Sequence, residues 1–319
     1  MTSSASFRRF VAAALAIVAA AGVSVFVATR GNGQPRASSV CNRPSTQLAF
    51  ISNRSGNEQM YRISINRPRR VQQVTHLDGI VEDPAWSPDG RRVAFRWFHP
   101  RTQRVGVYVA NASGRHVRLL VNNGVTPAWS PDGREIAYAH GGSGGTGISV
   151  INVADALQGH HAPRAVTTSF GDPQEYPVWS PDGKKIVFSG FADGSYDIFV
   201  VDADGTNLHD LTPNPAVDYL ATWSPDGSEI VFGSNRNGAN EFAGDLYKID
   251  AAGGNLRRLT SSRKNYGPAW SPDGRWIAFN SSRAGNSELY LMRPDGSHQR
   301  RLTRSRKDDA VAAWIGRCP

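Results

Sequence analysis

"PAWSPDGRWIAFNSSRAGNSELYLMRPDGSHQRRLT", residues 268–303, holds one complete copy of a unit that the chain uses again and again. "PAWS" reads as a short strand, and Pro272-Asp273-Gly274 as a tight turn: proline pre-sets φ, aspartate accepts local backbone bonds, and glycine takes the left-handed position. "RWIAFNS" alternates and is rich in β-formers, so it predicts a second strand, with "LYLMR" a third and "QRRLT" a fourth after the "PDGS" turn. Nothing in the unit reads as a helix.

"WSPDG" begins at Trp86, Trp129, Trp179, Trp223 and Trp270, and Trp314 sits in a tail that starts the same phrase without finishing it; the spacings are 43, 50, 44, 47 and 44 residues. A period of that size suits a supersecondary unit of four short strands. Units of this kind bury their faces only against neighbours, which argues for an all-β fold, a six-bladed β-propeller of four-stranded antiparallel blades. An open solenoid would need capping units with polar outer faces, and none is evident. The first unit begins directly at "QLAFISNR" (47–54), the counterpart of "RWIAFNSSR" (275–283), and the strand it lacks is "AAWIG" at 312–316. The C-terminal strand is therefore expected to complete the first blade and close the ring. Cys41 and Cys318, the two cysteines, lie where that split hairpin would otherwise be joined. They are expected to form a disulfide, worth on the order of 5 kcal/mol by chain-entropy reasoning for so long a loop.

Residues 1–40 stand apart from the propeller expected over residues 41–319. Phe10 to Thr29 is an uncharged run of 20 residues between Arg9 and Arg30, long enough to cross a bilayer and equally suited to a signal peptide. Ala19-Ala20-Ala21 and Ala37-Ser38-Ser39 offer small residues for cleavage. Both readings place the propeller outside the cytoplasm, as a periplasmic, cell-surface or secreted domain whose only membrane contact is residues 10–29 where these are retained. The formal charge is +9, but residues 1–40 hold Arg8, Arg9, Arg30 and Arg36 and no acid, leaving 32 basic against 27 acidic residues. That mildly basic remainder is not the concentrated footprint of a nucleic-acid binder.

"PVWSPDGKKIVFSGFADGSYDIFVVDADGTNLHDLT", residues 177–212, resembles the WD40-like repeat of TolB-type (PD40) propellers, and the resemblance runs over nearly all of residues 44–319. It implies six blades, export, and binding of envelope proteins through the propeller, with no cofactor. TolB-type proteins also carry an N-terminal α/β domain, which this sequence is expected to lack. Similar repeats form the propeller of prolyl-oligopeptidase-type peptidases, whose separate hydrolase domain is not expected here.

No catalytic residue or metal site is expected. "GGSGG" (141–145) satisfies G-x-S-x-G, but Ser143 lies between "EIAYAH" and "ISVINV", where a nucleophile elbow would need a strand followed at once by a helix. The eight histidines show no metal-ligand spacing, and His160 and His161 fall in a Gly/Pro-flanked insertion. Asp202-Ala203-Asp204-Gly205 stands where a third-to-fourth strand turn belongs rather than in a calcium loop. The alternative to a protein-binding module is a hydrolase or a binder of small ligands or carbohydrates that uses the central channel.

Recognition is expected on the face carrying the second-to-third and fourth-to-first loops, because these differ in every blade while Asp89, Asp132, Asp182, Asp226 and Asp273 sit in identical turns on the other. "SNR", "SNR" and "SSR" end the second strands of blades 1, 5 and 6, placing Arg54, Arg236 and Arg283 in one sector, with Arg263 and Lys264 beside them and Asp172, Glu175 and Asp218 opposite. Trp97, Phe98, Tyr176, Tyr219 and Tyr266 are the candidate aromatic anchors in the same loops. A plainer reading pairs each arginine within its own hairpin, with Glu58, Asp245 or Glu288, and packs the rings between blades. The propeller is expected to be monomeric.

Overall fold

The computed structural model describes residues 46–142, 145–168, 173–238 and 244–316. Within them the chain forms six four-stranded antiparallel sheets, and in five the strands follow one another in sequence. The sixth is composite. Asp309–Trp314 lies beside Gln47–Ser55, pairing Leu48 with Trp314 and Ser52 with Asp309, so the C-terminal strand closes the ring as the repeat predicts. Counting that composite blade as blade 1, the innermost strands of blades 1 to 6 are Asp309–Trp314, Ile80–Trp86, Gly124–Trp129, Gln174–Trp179, Asp218–Trp223 and Asn265–Trp270.

The alternation in the second strands of five blades buries one aromatic, Phe50, Phe95, Phe188, Phe232 or Phe279, at 0% exposure, facing an aromatic on the third strand, while blade 3 has Tyr138 opposite Ser149. Ring centroids of these pairs lie 5.6–6.4 Å apart. The core is divided into clusters that each bridge two blades: Ala94, Val107 and Val109 of blade 2 pack with Trp129, Ile136 and Tyr138 of blade 3. A blade alone would leave half of that surface wet, which is why the period and the ring are one property. Truncating a central ring, as in Phe188→Ala, would cost about 3–5 kcal/mol.

The shared turns are built identically. In all five, the serine after tryptophan donates Oγ–H to the aspartate Oδ1 at 2.6–2.7 Å, and that oxygen also accepts the backbone N–H two residues on. Each turn glycine has φ between 67° and 74°. The fourth strands are shorter than the repeat suggests, only two residues in blades 3 to 6 (Arg164–Ala165, His209–Asp210, Arg257–Arg258 and Arg300–Arg301), which limits the unpaired edge each presents.

Blade 3 departs from the all-strand unit. Its long spacing holds a short helix, Val153–Leu157, started by Asn152, whose side chain accepts the N–H groups of Ala154 and Asp155. The helix folds the insertion back so that His161 Nδ1 lies 3.1 Å from the Leu120 carbonyl of blade 2, while His160 is exposed. No helix among the described residues is long and apolar enough to cross a membrane, and residues 10–29, Cys41, Cys318, Ser143 and Asp172 lie outside the described residues.

Candidate binding channel

Three residues before each blade tryptophan the pairing of the innermost strand slips, and the residue there adopts left-handed backbone: Asp83, Thr126, Tyr176, Leu220, Gly267 and Val311, with φ from 49° to 57°. A bulge re-aims the side chain it carries. All six residues line one channel of about 400 Å³ along the axis. For the five that are not glycine this backbone costs on the order of 1 kcal/mol each. The ring is asymmetric in composition: blades 2 to 4 contribute Asp83, Thr126 and Tyr176, and blades 5, 6 and 1 contribute Leu220, Gly267 and Val311. Neighbouring blades are tied at this level, since the Tyr176 N–H donates to Thr126 Oγ1 at 3.2 Å and the Leu220 N–H to Ser189 Oγ at 3.0 Å.

The polar sector is acidic. Glu82 and Glu175 precede Asp83 and Tyr176, and both are buried, at 6% and 5% exposure. Glu82 is the cross-strand partner of Arg96, itself 8% exposed, and the two form an ion pair. The Arg96 Nε has no partner among the described residues. Burial pushes Glu82 up to about 8 although Arg96 opposes it, and pushes Glu175 up to about 7 with help from Asp83. Asp83 is raised for the same reason, burial outweighing Arg96. Burial, then the Glu175 charge, holds the Tyr176 phenol well above its ordinary range.

No group of three or more His, Cys, Asp or Glu side chains with metal-holding geometry occurs among the described residues. The cluster of Glu82, Asp83 and Glu175 is nevertheless one that sequence reading missed. Its signal is positional only, visible when "VEDPAW", "QEYPVW" and "AVAAW" are aligned on their tryptophans.

The candidate arginines occupy one repeated clasp, and it is not the hairpin pairing expected for them. Arg54 Nη2 reaches Asp309 at 2.5 Å, Arg236 Nη2 reaches Asp218 at 2.6 Å and Arg283 Nη2 reaches Asn265 Oδ1 at 2.6 Å, in each case the first residue of the same blade's innermost strand. Each guanidinium also lies over its blade's paired rings, 4.6–5.5 Å from the centroids. Asp245 and Glu288 are taken from the other side by the fourth-strand Arg258 and Arg301, at 2.6 Å and 2.5 Å. Asp218 is fully buried in its pair and lends no charge to the surface, while the Arg263 N–H donates to Asp245 Oδ1.

Of the aromatics, Trp97 and Phe98 are half-buried at the edge of blade 2, with Trp97 Nε1 donating to the Asp78 carbonyl and its ring edge-on to Tyr108. Tyr176 stands in the channel ring. Tyr219 and Tyr266 are in the channel wall at 6% and 8% exposure rather than at loop tips, and the Tyr266 hydroxyl is 2.5 Å from Ser287 Oγ. The structure thus brings the three tyrosines together in the channel and holds Arg54, Arg236 and Arg283 in a sector of their own.

Solved structures with this architecture include TolB from Acinetobacter baumannii (TM-score 0.72, 21% identity, 85% of this chain and 67% of that one) and a putative TolB from Agrobacterium tumefaciens (TM-score 0.66, 22% identity, 84% and 91%). A propeller in a nidogen/laminin complex is also similar (TM-score 0.69, 12% identity, 85% and 99%), so the fold alone spans different proteins. No curated protein matches the chain in sequence. The TolB β-propeller domain family matches residues 12–162 and 122–266. With the repeat, the six blades and the ring closure, this places the chain in the TolB β-propeller (PD40) family.

Proposed function

We propose that this chain is an exported, non-enzymatic protein-binding module of the cell envelope, and that its partner docks on the face carrying the second-to-third and fourth-to-first loops. The observation that carries this reading is the channel ring. Six equivalent positions share one backbone conformation yet hold six different residues, Asp83, Thr126, Tyr176, Leu220, Gly267 and Val311. Thr126 Oγ1 and the Asp83 carboxyl also take backbone bonds from the next blade, but no single residue type is required at these positions, whereas the opposite face repeats one Ser-Asp turn five times. Side chains that the fold does not require are the ones available for recognition.

Export is supported by the uncharged run from Phe10 to Thr29, read as a leader or anchor ahead of a domain at 41–319, and by the placement of Cys41 and Cys318. Trp97, Phe98 and Tyr176 are proposed as the partner's anchors, with Tyr219 and Tyr266 behind them. Arg54, Arg236 and Arg283 form the cationic side of the same face. A second reading, a small-ligand binder or hydrolase working in the channel, is favoured by one observation, the placement of Asp83 and Glu175 on its wall with Glu82 next to Asp83 in the chain.

The test is capture of envelope proteins by the immobilised full-length chain, with mass spectrometry, comparing Phe98→Glu on the loop face with Lys184→Glu on the turn face. Both positions lie outside the buried core. Loss of a captured partner with Phe98→Glu alone is the expected result. Loss with Lys184→Glu alone would move the site to the other face, and turnover of ester substrates abolished by Asp83→Asn would replace the reading with the enzymatic one.

A further inference from the structure

We propose that the channel is a cation site for an aliphatic ammonium group, presented on a lysine side chain of the docked protein partner. The source of the cation rests on the protein-binding reading above; the site itself rests on the channel.

The first observation is the sign of the lining. In a chain of formal charge +9, the charged side chains on the channel wall are Asp83 and Glu175, with no lysine, arginine or histidine among the described lining residues. The nearby guanidinium, Arg96, stands behind the wall in its ion pair with Glu82. One cation therefore faces three carboxyl groups, whose ionised forms burial disfavours, and a ligand that supplies positive charge favours those ionised forms and is favoured by them.

The second observation is independent of the acids and lies on blade 6. Asn280 is fully buried and lines the channel; its Nδ2 donates to the Asp309 carbonyl at 3.2 Å, and its Oδ1 accepts from nothing among the described residues. A buried acceptor left without a donor is costly. Gly267 uncovers it, since a Cβ at Gly267 would stand 3.1 Å from that oxygen. The backbone does not demand glycine here, because five other blades hold Asp, Thr, Tyr, Leu and Val at the same φ. What the glycine provides is an opening on an acceptor.

Both sectors thus ask for N–H donors, and the wall between them carries the rings of Tyr176, Tyr219 and Tyr266. Aromatic faces suit a methylene stem and a cation alike. A space of about 400 Å³ is far larger than a bare metal ion and within the range of organic ligand sites. An ammonium on a flexible stem, with three donors, fits that combination.

The experiment titrates the full-length chain by calorimetry with 1,5-diaminopentane, neutral 1,5-pentanediol, butylamine and the N-acetylated, amidated tripeptide Gly-Lys-Gly. The diamine is expected to bind at least tenfold more tightly than the diol, and Glu175→Gln or Asp83→Asn to weaken it at least tenfold; Asp83→Asn keeps a residue type at ease with positive φ. Gly267→Ala, which covers Asn280 Oδ1, should weaken the diamine severalfold and leave butylamine unchanged, a pattern that general loss of folding would not give. The tripeptide binding at least as well as butylamine supports a side-chain source; butylamine binding while the tripeptide does not would overturn that source. Equal binding of diamine and diol, no binding of either, or full affinity in the Glu175→Gln/Asp83→Asn double variant would overturn the site. Loss of a captured protein with Phe98→Glu alongside no response to any amine would refute this inference and leave the docking face standing.

Discussion

Removing the carboxylate of Asp309 tests the closure of the ring and the role of the arginine clasp together. Asp309 is fully buried on the C-terminal strand and takes both contacts of Arg54 Nη2, at 2.5 Å and 2.7 Å, across 255 residues of sequence. Breaking a buried ion pair from one side costs about 3–5 kcal/mol. The Arg54 side chain is 26% exposed and can turn to water, so Asp309→Ala should cost less, about 2–3 kcal/mol. Asp309→Asn should cost only about 1 kcal/mol. The chain already contains that arrangement: Asn265 holds Arg283 at 2.6 Å through an amide oxygen, and Nε of Arg283 keeps the same serine contact, Ser281 at 2.9 Å, that Arg54 makes with Ser52 at 3.1 Å. Burial also raises the Asp309 carboxyl against the opposing pull of Arg54, so neutralising it recovers part of the loss. Urea unfolding followed by tryptophan fluorescence, with Asp218→Ala as the same break inside one continuous blade, would read these values. The melting temperature of Asp309→Ala should fall by roughly 5–10 °C. An alanine variant within about 0.5 kcal/mol of wild type, or an asparagine variant as damaged as the alanine one, would refute the reasoning.

Glu175→Gln should raise stability at pH 8 and leave it unchanged near pH 5. The folded chain holds the Glu175 proton up to about 7 where an unfolded glutamate releases it near 4.5, so stability falls as pH rises through that window and the amide removes the fall; a melt series in which the two proteins track each other throughout would show the burial argument to be wrong. The groups facing Glu175 there are Asp83, Arg96, Tyr176 and Tyr196, and the window is read with them intact. Trp314→Phe and Trp270→Phe should differ by about 1–2 kcal/mol, because Trp314 Nε1 donates to the Ala269 carbonyl at 2.8 Å whereas the buried Trp270 Nε1 has no partner among the described residues; equal losses in denaturant would sink this. Thiol labelling of the unreduced, denatured protein should find neither Cys41 nor Cys318 reactive, and two labelled thiols would defeat the proposed bond.

How much of this was legible in sequence depends on whether a residue type repeats. "WSPDG" and the buried phenylalanine recur at fixed offsets, so blade number, strand order and the closing strand could be read before any coordinates. The arginine set was legible as a set and misread in its partners. The expected acids, Asp245 and Glu288, start the third strand and face outward to Arg258 and Arg301, which leaves Arg54, Arg236 and Arg283 to reach inward to Asp309, Asp218 and Asn265. Nothing in a charge count distinguishes those directions. The channel ring was illegible for the opposite reason: the position three before each tryptophan holds six residue types, and the bulge that turns it inward breaks the alternation by which a strand's faces are assigned.

That illegibility is itself informative about where selection for function can act in a propeller. At the shared turns one residue type satisfies the backbone, and Asp132 or Asp226 could not vary without losing the serine and backbone bonds that form the corner. At the ring, the left-handed conformation is imposed by the bulge and by the register of the flanking pairs, Glu82 with Arg96 and Ala85 with Ala94 in blade 2, so the side chain need not be one residue type to hold it. Val311 makes the point most strongly, since a β-branched residue at φ 52° is there against its own preference and only the surrounding pairs can hold it. Because the conformation is set from outside, replacing Tyr176 or Leu220 changes what the channel presents without changing the blade. The division into an acidic sector on blades 2 to 4 and an uncharged sector on blades 5, 6 and 1 is therefore a property of the surface offered to a ligand. The six-bladed ring would fold as well with the sectors exchanged, which is why function in this chain has to be argued from the channel rather than from the fold.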